Sequence, residues 1–255
     1  MLRTFTIKFA REPKEMNNAN SNFKKGKKHI EAYIFFLIAA LVVTGCSDAQ
    51  TTADLIDKWN QIIVVQEKLV GEVTNATTFN DLSTAAFDNV KNLDELSNAL
   101  ENYSRDFDTA TNATVNLLQK AQEDVIKEST LISEFSALSV QLKDEEAKRY
   151  AEDAAKFLRE HNSKMMNCIN ELSSMLLSIN GKYQQMSATT VAKLEFLEEK
   201  VELGESVEED YNNLLKEIDE TTIGLYDLKD PASCEESDIL LQRAQDSISK
   251  AGALQ

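Results

Sequence analysis

Three long stretches of this chain repeat apolar residues in alternating steps of three and four. The first runs Leu93, Leu96, Leu100, Tyr103, Phe107, Ala110, Thr114, Leu117 and Ala121. The second runs Ala147, Ala151, Ala154, Leu158, His161, Met165, Cys168, Leu172, Met175 and Ile179, and the third Val207, Tyr211, Leu214, Ile218, Thr221, Leu225 and Leu228. A period near 3.5 puts every member of a stretch on one helical face, as a seam that must be covered by another helix. No segment alternates convincingly at the period of two that a half-buried strand needs. With only 7 Gly and 2 Pro in 255 residues, the chain also lacks the punctuation of a β-sandwich, a barrel or a turn-rich α/β enzyme. The expected fold is all-α: an elongated antiparallel helical bundle with coiled-coil-like long helices over residues 53–230. A C-terminal loop and weak helix follow over 231–255. The same seams permit a parallel homodimer.

The expected breaks are few. A first helix containing Ile56, Trp59, Ile63 and Val70 ends at Thr74-Asn75-Ala76-Thr77-Thr78, and Asn80 or Asp81 caps a second that extends over 81–142. Lys143-Asp144-Glu145-Glu146 reads as the next start, with acids placed where the helix dipole favours them. Asn180-Gly181 and Gly204-Glu205-Ser206 both read as C-terminal stops, and Asp230-Pro231 ends the third seam. The closing helix is expected from Ser237 to Lys250.

The front end has a different character. Lys24, Lys25, Lys27 and Lys28 precede a mostly apolar run of twelve residues, Ala32 to Val43. Crossing a bilayer takes about 20 apolar residues, so the run is short for a span and suits the apolar part of a secretory signal. Val43-Thr44-Gly45-Cys46 follows at once and resembles the lipobox of prokaryotic lipoproteins. The resemblance implies cleavage after Gly45 and a lipid on Cys46, the first residue of the mature chain. Residues 1–45 are thus expected to be a lipoprotein signal peptide, and 46–52 the lipidated Cys and a polar tether. Alternatives are an uncleaved signal anchor and an ordinary signal peptide followed by a chance Cys. Arg3, Arg11, Glu12 and Glu15 suit a signal poorly, and a start at Met16 gives one of 30 residues.

Removing residues 1–45 takes away 8 of the 27 basic and 3 of the 43 acidic residues, leaving a net charge of −21 on 210 residues. Such a surface repels phosphate backbones and anionic lipid, so nucleic acid is not an expected partner and the lipid on Cys46 is the expected tether.

Little of the chain suggests catalysis, and no cofactor is expected. There is no phosphate-cradling Gly loop, no Gly-x-Ser-x-Gly and no Cys-x-x-Cys. His161 is the single His beyond the signal. It reads as a metal ligand or general base, or, in the favoured reading, as a seam residue satisfied by a carboxylate or carbonyl. Cys168 and Cys234 are an even pair outside the reducing cytosol and hence a disulfide candidate; the alternative is a small apolar Cys168 and a free Cys234. Asn75, Asn102 and Asn112 head Asn-x-Ser/Thr sequons that an exported archaeal protein could glycosylate, in a chain where Asn is common. Glu198-Glu199, Glu208-Glu209-Asp210 and Glu235-Glu236 read as solvated helix faces, with no calcium-loop pattern around them.

In length and coiled-coil character the mature part is similar to the cell-wall-binding lipoproteins of Gram-positive bacteria, a similarity of organisation that carries no site residues. The expected role is a non-enzymatic binding or scaffold module of the cell envelope, membrane-anchored and extracytoplasmic, whose partner is an envelope protein or wall component. The alternatives are a helical pore-forming or membrane-active component, or a signal-anchored sensory ectodomain. The longest mature aliphatic run, Ile62-Ile63-Val64-Val65, is short for the insertion segment that the first of these needs.

Overall fold

The computed structural model describes residues 48–77, 87, 90–223 and 231–253. Cys46, the signal region and the candidate caps Asn80 and Asp81 lie outside them. The described residues are all-α: α1 (Asp48–Thr77), α2 (Leu93–Ser139), α3 (Glu145–Glu202), α4 (Glu208–Ile223) and α5 (Ala232–Ala253). At 1.5 Å per residue, the 47 residues of α2 and the 58 of α3 span about 70 and 87 Å.

Local sequence explains most of the ends. Asn92 caps α2, its side chain accepting from the Glu95 amide at 2.8 Å. Asp144 does the same for α3 through the Ala147 amide at 2.7 Å, with Glu145 and Glu146 in the first turn. α3 ends in a Schellman motif. The Glu205 amide donates to the Lys200 carbonyl and the Gly204 amide to that of Val201, both at 3.0 Å, with Gly204 at φ +77°.

Several expectations change with the structure. α3 runs straight through Asn180-Gly181, because Ile179, Tyr183 and Met186 bury the same face on either side of it. That burial outweighs the roughly 1 kcal/mol propensity penalty of one glycine. The second helix begins after Asn92 rather than at residue 81. The first helix contains the four apolar residues named for it: Trp59 and Ile63 are buried with Leu55, Ile62, Leu69 and Val73, while Ile56 and Val70 are half-buried on its flank. The expected polar tether is helical from Asp48, with Thr52 buried, and α5 is longer at both ends than Ser237–Lys250.

Neighbouring helices are antiparallel. Lys58 meets Glu134 and Lys68 meets Asp124, setting α1 against the second half of α2. α2 and α3 form a hairpin across residues 140–144, with Asn162 reaching back to the Val125 carbonyl. α5 returns along the first half of α3, and α4 folds back on its last turns, where Lys200 pairs with Asp210. Among the described residues the bundle therefore has four helices at its hairpin end and three at the other.

Among the described residues three cores fill it. At the hairpin end, Leu55, Trp59, Phe135, Leu158 and Ile248 pack together. The middle holds Leu69, Phe107, Ile169 and Tyr183, with the Phe107 and Tyr183 rings stacked at 3.8 Å. At the far end Leu96, Leu100, Leu197, Leu214 and Ile218 close the α2–α3–α4 contact. Most members of the first two seams are buried within this one chain.

Gly181 within α3 and Gly204 just beyond its end should respond oppositely to alanine. A Cβ at Gly181 meets nothing within 4 Å, so Gly181→Ala should stabilise the protein by about 0.5–1 kcal/mol. Gly204→Ala, at φ +77°, should destabilise it by about 1 kcal/mol. Urea unfolding of the two variants measures both; a loss of stability at Gly181→Ala would mean that the helix needs a flexible point there.

Candidate functional site

Between the hairpin-end core and the middle core the interior turns polar. Gln66 of α1, Glu128 of α2, His161 of α3 and Ser237 of α5 are 0–2% exposed. Each occupies a place where the seam requires an inward side chain, so helix geometry forces four polar groups into the interior at one level. Asn162 lies beside them and donates from Nδ2 to Glu128 Oε2 at 2.9 Å as well as to the Val125 carbonyl at 2.8 Å.

His161 is the centre of the layer. Its Nδ1 lies 2.8 Å from the Ser237 carbonyl oxygen and 2.8 Å from Ser237 Oγ. A carbonyl can only accept, so the neutral ring carries its proton on Nδ1 and turns a bare lone pair on Nε2 to the other side. There Glu128 Oε1 stands 3.7 Å away, beyond hydrogen-bond length. Among the described residues neither Nε2 nor Oε1 has a hydrogen-bond partner, and neither does either end of the Gln66 amide.

The two titratable groups are pushed towards neutrality. Burial raises the Glu128 carboxyl to about 7, against the downward pull of the Asn162 hydrogen bond and of the neighbouring Gln66 amide. Burial lowers His161 to about 4, against the upward pull of the Ser237 carbonyl. With the proton on Glu128, its O–H faces the Nε2 lone pair; without it, two acceptors face each other. The layer thus holds one proton between α2 and α3 most comfortably below neutral pH. The favoured sequence reading of His161 is met at Nδ1 only.

One turn away on α2, charge is compensated instead. Burial would raise Asp124, but hydrogen bonds from Lys68 at 2.6 Å and Lys127 at 2.9 Å hold it below its ordinary value. Asp124 is 2% exposed while both lysines reach it from solvent, a snorkelling arrangement on the bundle's flank.

The remaining candidates fall elsewhere. Cys168 and Cys234 are joined by a disulfide linking α3 to α5, one turn beyond Ser237 towards the start of α5. Closing 66 residues of chain removes about 4 kcal/mol of unfolded-state entropy in the loop-closure picture. Asn75, Asn102 and Asn112 are exposed on helices α1 and α2, apart from one another in sequence and from the polar layer. The acidic clusters are exposed; Asp210 pairs with Lys200 and Glu236 with Lys164. Among the described residues, no three His, Cys, Asp or Glu side chains gather as a metal site and no helix is long and apolar enough to cross a membrane.

Sequence reasoning missed Glu128, Asp124 and Gln66. The signal was a seam that does not stop: steps of three and four continue from Ala121 to Asp124, Glu128 and beyond to Ile132 and Phe135.

The layer predicts a stability profile with two opposed edges. Glu128 is protonated more readily folded than unfolded, so its contribution is full below about 4.5 and is lost as pH rises towards 7. His161 is protonated less readily when folded, so its contribution is present above 6.5 and is lost as pH falls towards 4. Over the overlap the slopes oppose each other and stability is nearly flat. Glu128→Gln removes the alkaline loss. Relative to the unmodified chain it should gain on the order of 3 kcal/mol between pH 5 and pH 8. Chemical denaturation at both pH values checks this; a variant offset that is the same at both would mean that Glu128 is ionised throughout.

Compared with protein-family profiles, curated proteins and solved structures, the chain matches none of them.

Proposed function

We propose that this protein is a lipid-anchored, extracytoplasmic helical bundle that serves the cell envelope as a binding or scaffold module. Its tether is a lipid on Cys46, and its partner is an envelope protein or wall component rather than nucleic acid. The observation that carries the reading is where α1 begins. Asp48 is two residues from Cys46, and the Lys58–Glu134 and Lys68–Asp124 pairs set the start of α1 at the hairpin end of the bundle. An anchor there leaves almost no slack, while α3 runs from that end for about 87 Å to the Gly204 turn. The geometry suits a strut that holds a contact surface away from the membrane. The strongly acidic mature chain supports the same reading, because it gives the bundle itself no attraction to anionic lipid.

The test is intact mass and membrane partitioning in the protein's own cells, with Cys46→Ser alongside. The expected outcome is a chain beginning at Cys46 with a lipid-sized mass increment, and loss of both increment and membrane retention in the variant. A full-length chain that stays with the membrane without Cys46 would make residues 32–45 a signal anchor. Release of the unmodified chain into the medium would favour a secreted, membrane-active role.

A further inference from the structure

The helix pair α3–α5 combines a packing face of mostly small side chains with a covalent bond. The buried residues of α5 are Ser233, Cys234, Ser237, Ala244, Ser247, Ile248 and Ala251, of which one is a large aliphatic. Opposite them α3 offers Ala151, Ala154 and Ala155, in the same core as Ala244 and Ala251. Small side chains let two helices approach closely, but each removes little apolar surface from water, so the driving force per turn is low. α5 packs chiefly on α3, whereas α3 is also bound along its length by α2. The other ties are polar and sit at one end: His161 to Ser237, Glu171 to Ser233 and Lys164 to Glu236. All lie within one turn of Cys234.

We propose that α5 is a thiol-controlled arm: the Cys168–Cys234 disulfide keeps it seated on α3, and reduction by a dithiol lets it leave while the α1–α2–α3 body stays folded. The inference concerns the fold and stands apart from the anchoring of Cys46. The two cysteines differ in exposure as residues, Cys234 being 9% exposed and Cys168 not at all. A thiolate of the reductant attacks Sγ of Cys234, the S–S bond breaks, and Cys168 leaves as thiolate and takes up a proton. The second thiol of the reductant then closes on the mixed disulfide. The protein ends with two thiols and the reductant with one disulfide. Departure of α5 would uncover a strip on α3 formed by Ala151, Ala154, Ala155, Leu158 and His161, all 0–1% exposed in the bridged form.

Hydrogen–deuterium exchange on the full-length chain carrying Cys46→Ser, before and after dithiothreitol, tests this, with thiol titration alongside. The expected result is two titratable thiols under native conditions and amide exchange at least tenfold faster over 232–253. Protection over 93–139 and 145–202 should hold, and reoxidation should restore the first pattern. The double variant Cys168→Ser/Cys234→Ser should show the reduced pattern without reductant. Unchanged protection of α5 after both thiols titrate would overturn the proposal, as would loss of protection in all helices together. A bridge that dithiothreitol does not open in the folded protein would also overturn it.

Discussion

Every described helix is packed, directly or through α2, against one uninterrupted buried face of α3. From Ala147 to Leu197 that helix offers an inward side chain every three or four residues, and its four neighbours take successive lengths of it directly or through α2. An isolated helix of this length has no way to shield such a face, so the chain must supply partners on both sides. It does so unevenly. α2 covers the length of α3, α4 only its last turns, and α5 only its first half. The change from four helices to three along the axis follows from the lengths of the segments available to cover α3.

The character of that face changes as it goes. Alanine dominates near the start, then a polar level at His161, then large side chains such as Tyr183 and Leu194. Wherever side chains are large, packing alone fixes the relative positions of the helices, because a one-turn slip would leave voids. Where they are small, a slip leaves smaller voids. The His161–Ser237 contact and the disulfide sit at the boundary of that region. A buried polar group has few acceptable positions, which makes it a better marker of register than another alanine. The level thus trades some stability for a unique alignment of α5, and Glu128 bears the loss at alkaline pH.

How much of this could be read from the sequence depended on whether a feature is local. Heptad spacing identifies the helices because each inward position is set by its neighbours three and four residues away, so the all-α class and the seam of α3 were legible. Asp144 and Gly204 were legible for the same reason, being complete signals within four residues. Gly181 was misread because its local signal is weak and the tertiary burial around it is strong. The inward face of α1 was not read at all, since Ile62 and Ile63 are adjacent and both buried, and only the partner helices define the face. Glu128 was legible only as an inward position on the continuing seam of α2, not as a member of a polar level. Nothing next to it in sequence says that α1, α3 and α5 close over it, and Gln66, His161 and Ser237 come from three distant parts of the chain. The pairing of Cys168 with Cys234 likewise needed the return of α5 along α3.

One consequence follows from the turn that closes α3. Residues 203–206 are exposed, with Gly204 at the bend, so a protease meets accessible backbone there at the end of the molecule remote from residue 48. That site lies between the two bridged cysteines. A cut at this turn therefore yields two polypeptides that remain one covalent object, and the severed tip stays in register with the body. Wear at that end of the protein would be silent until the sulfur bond opened.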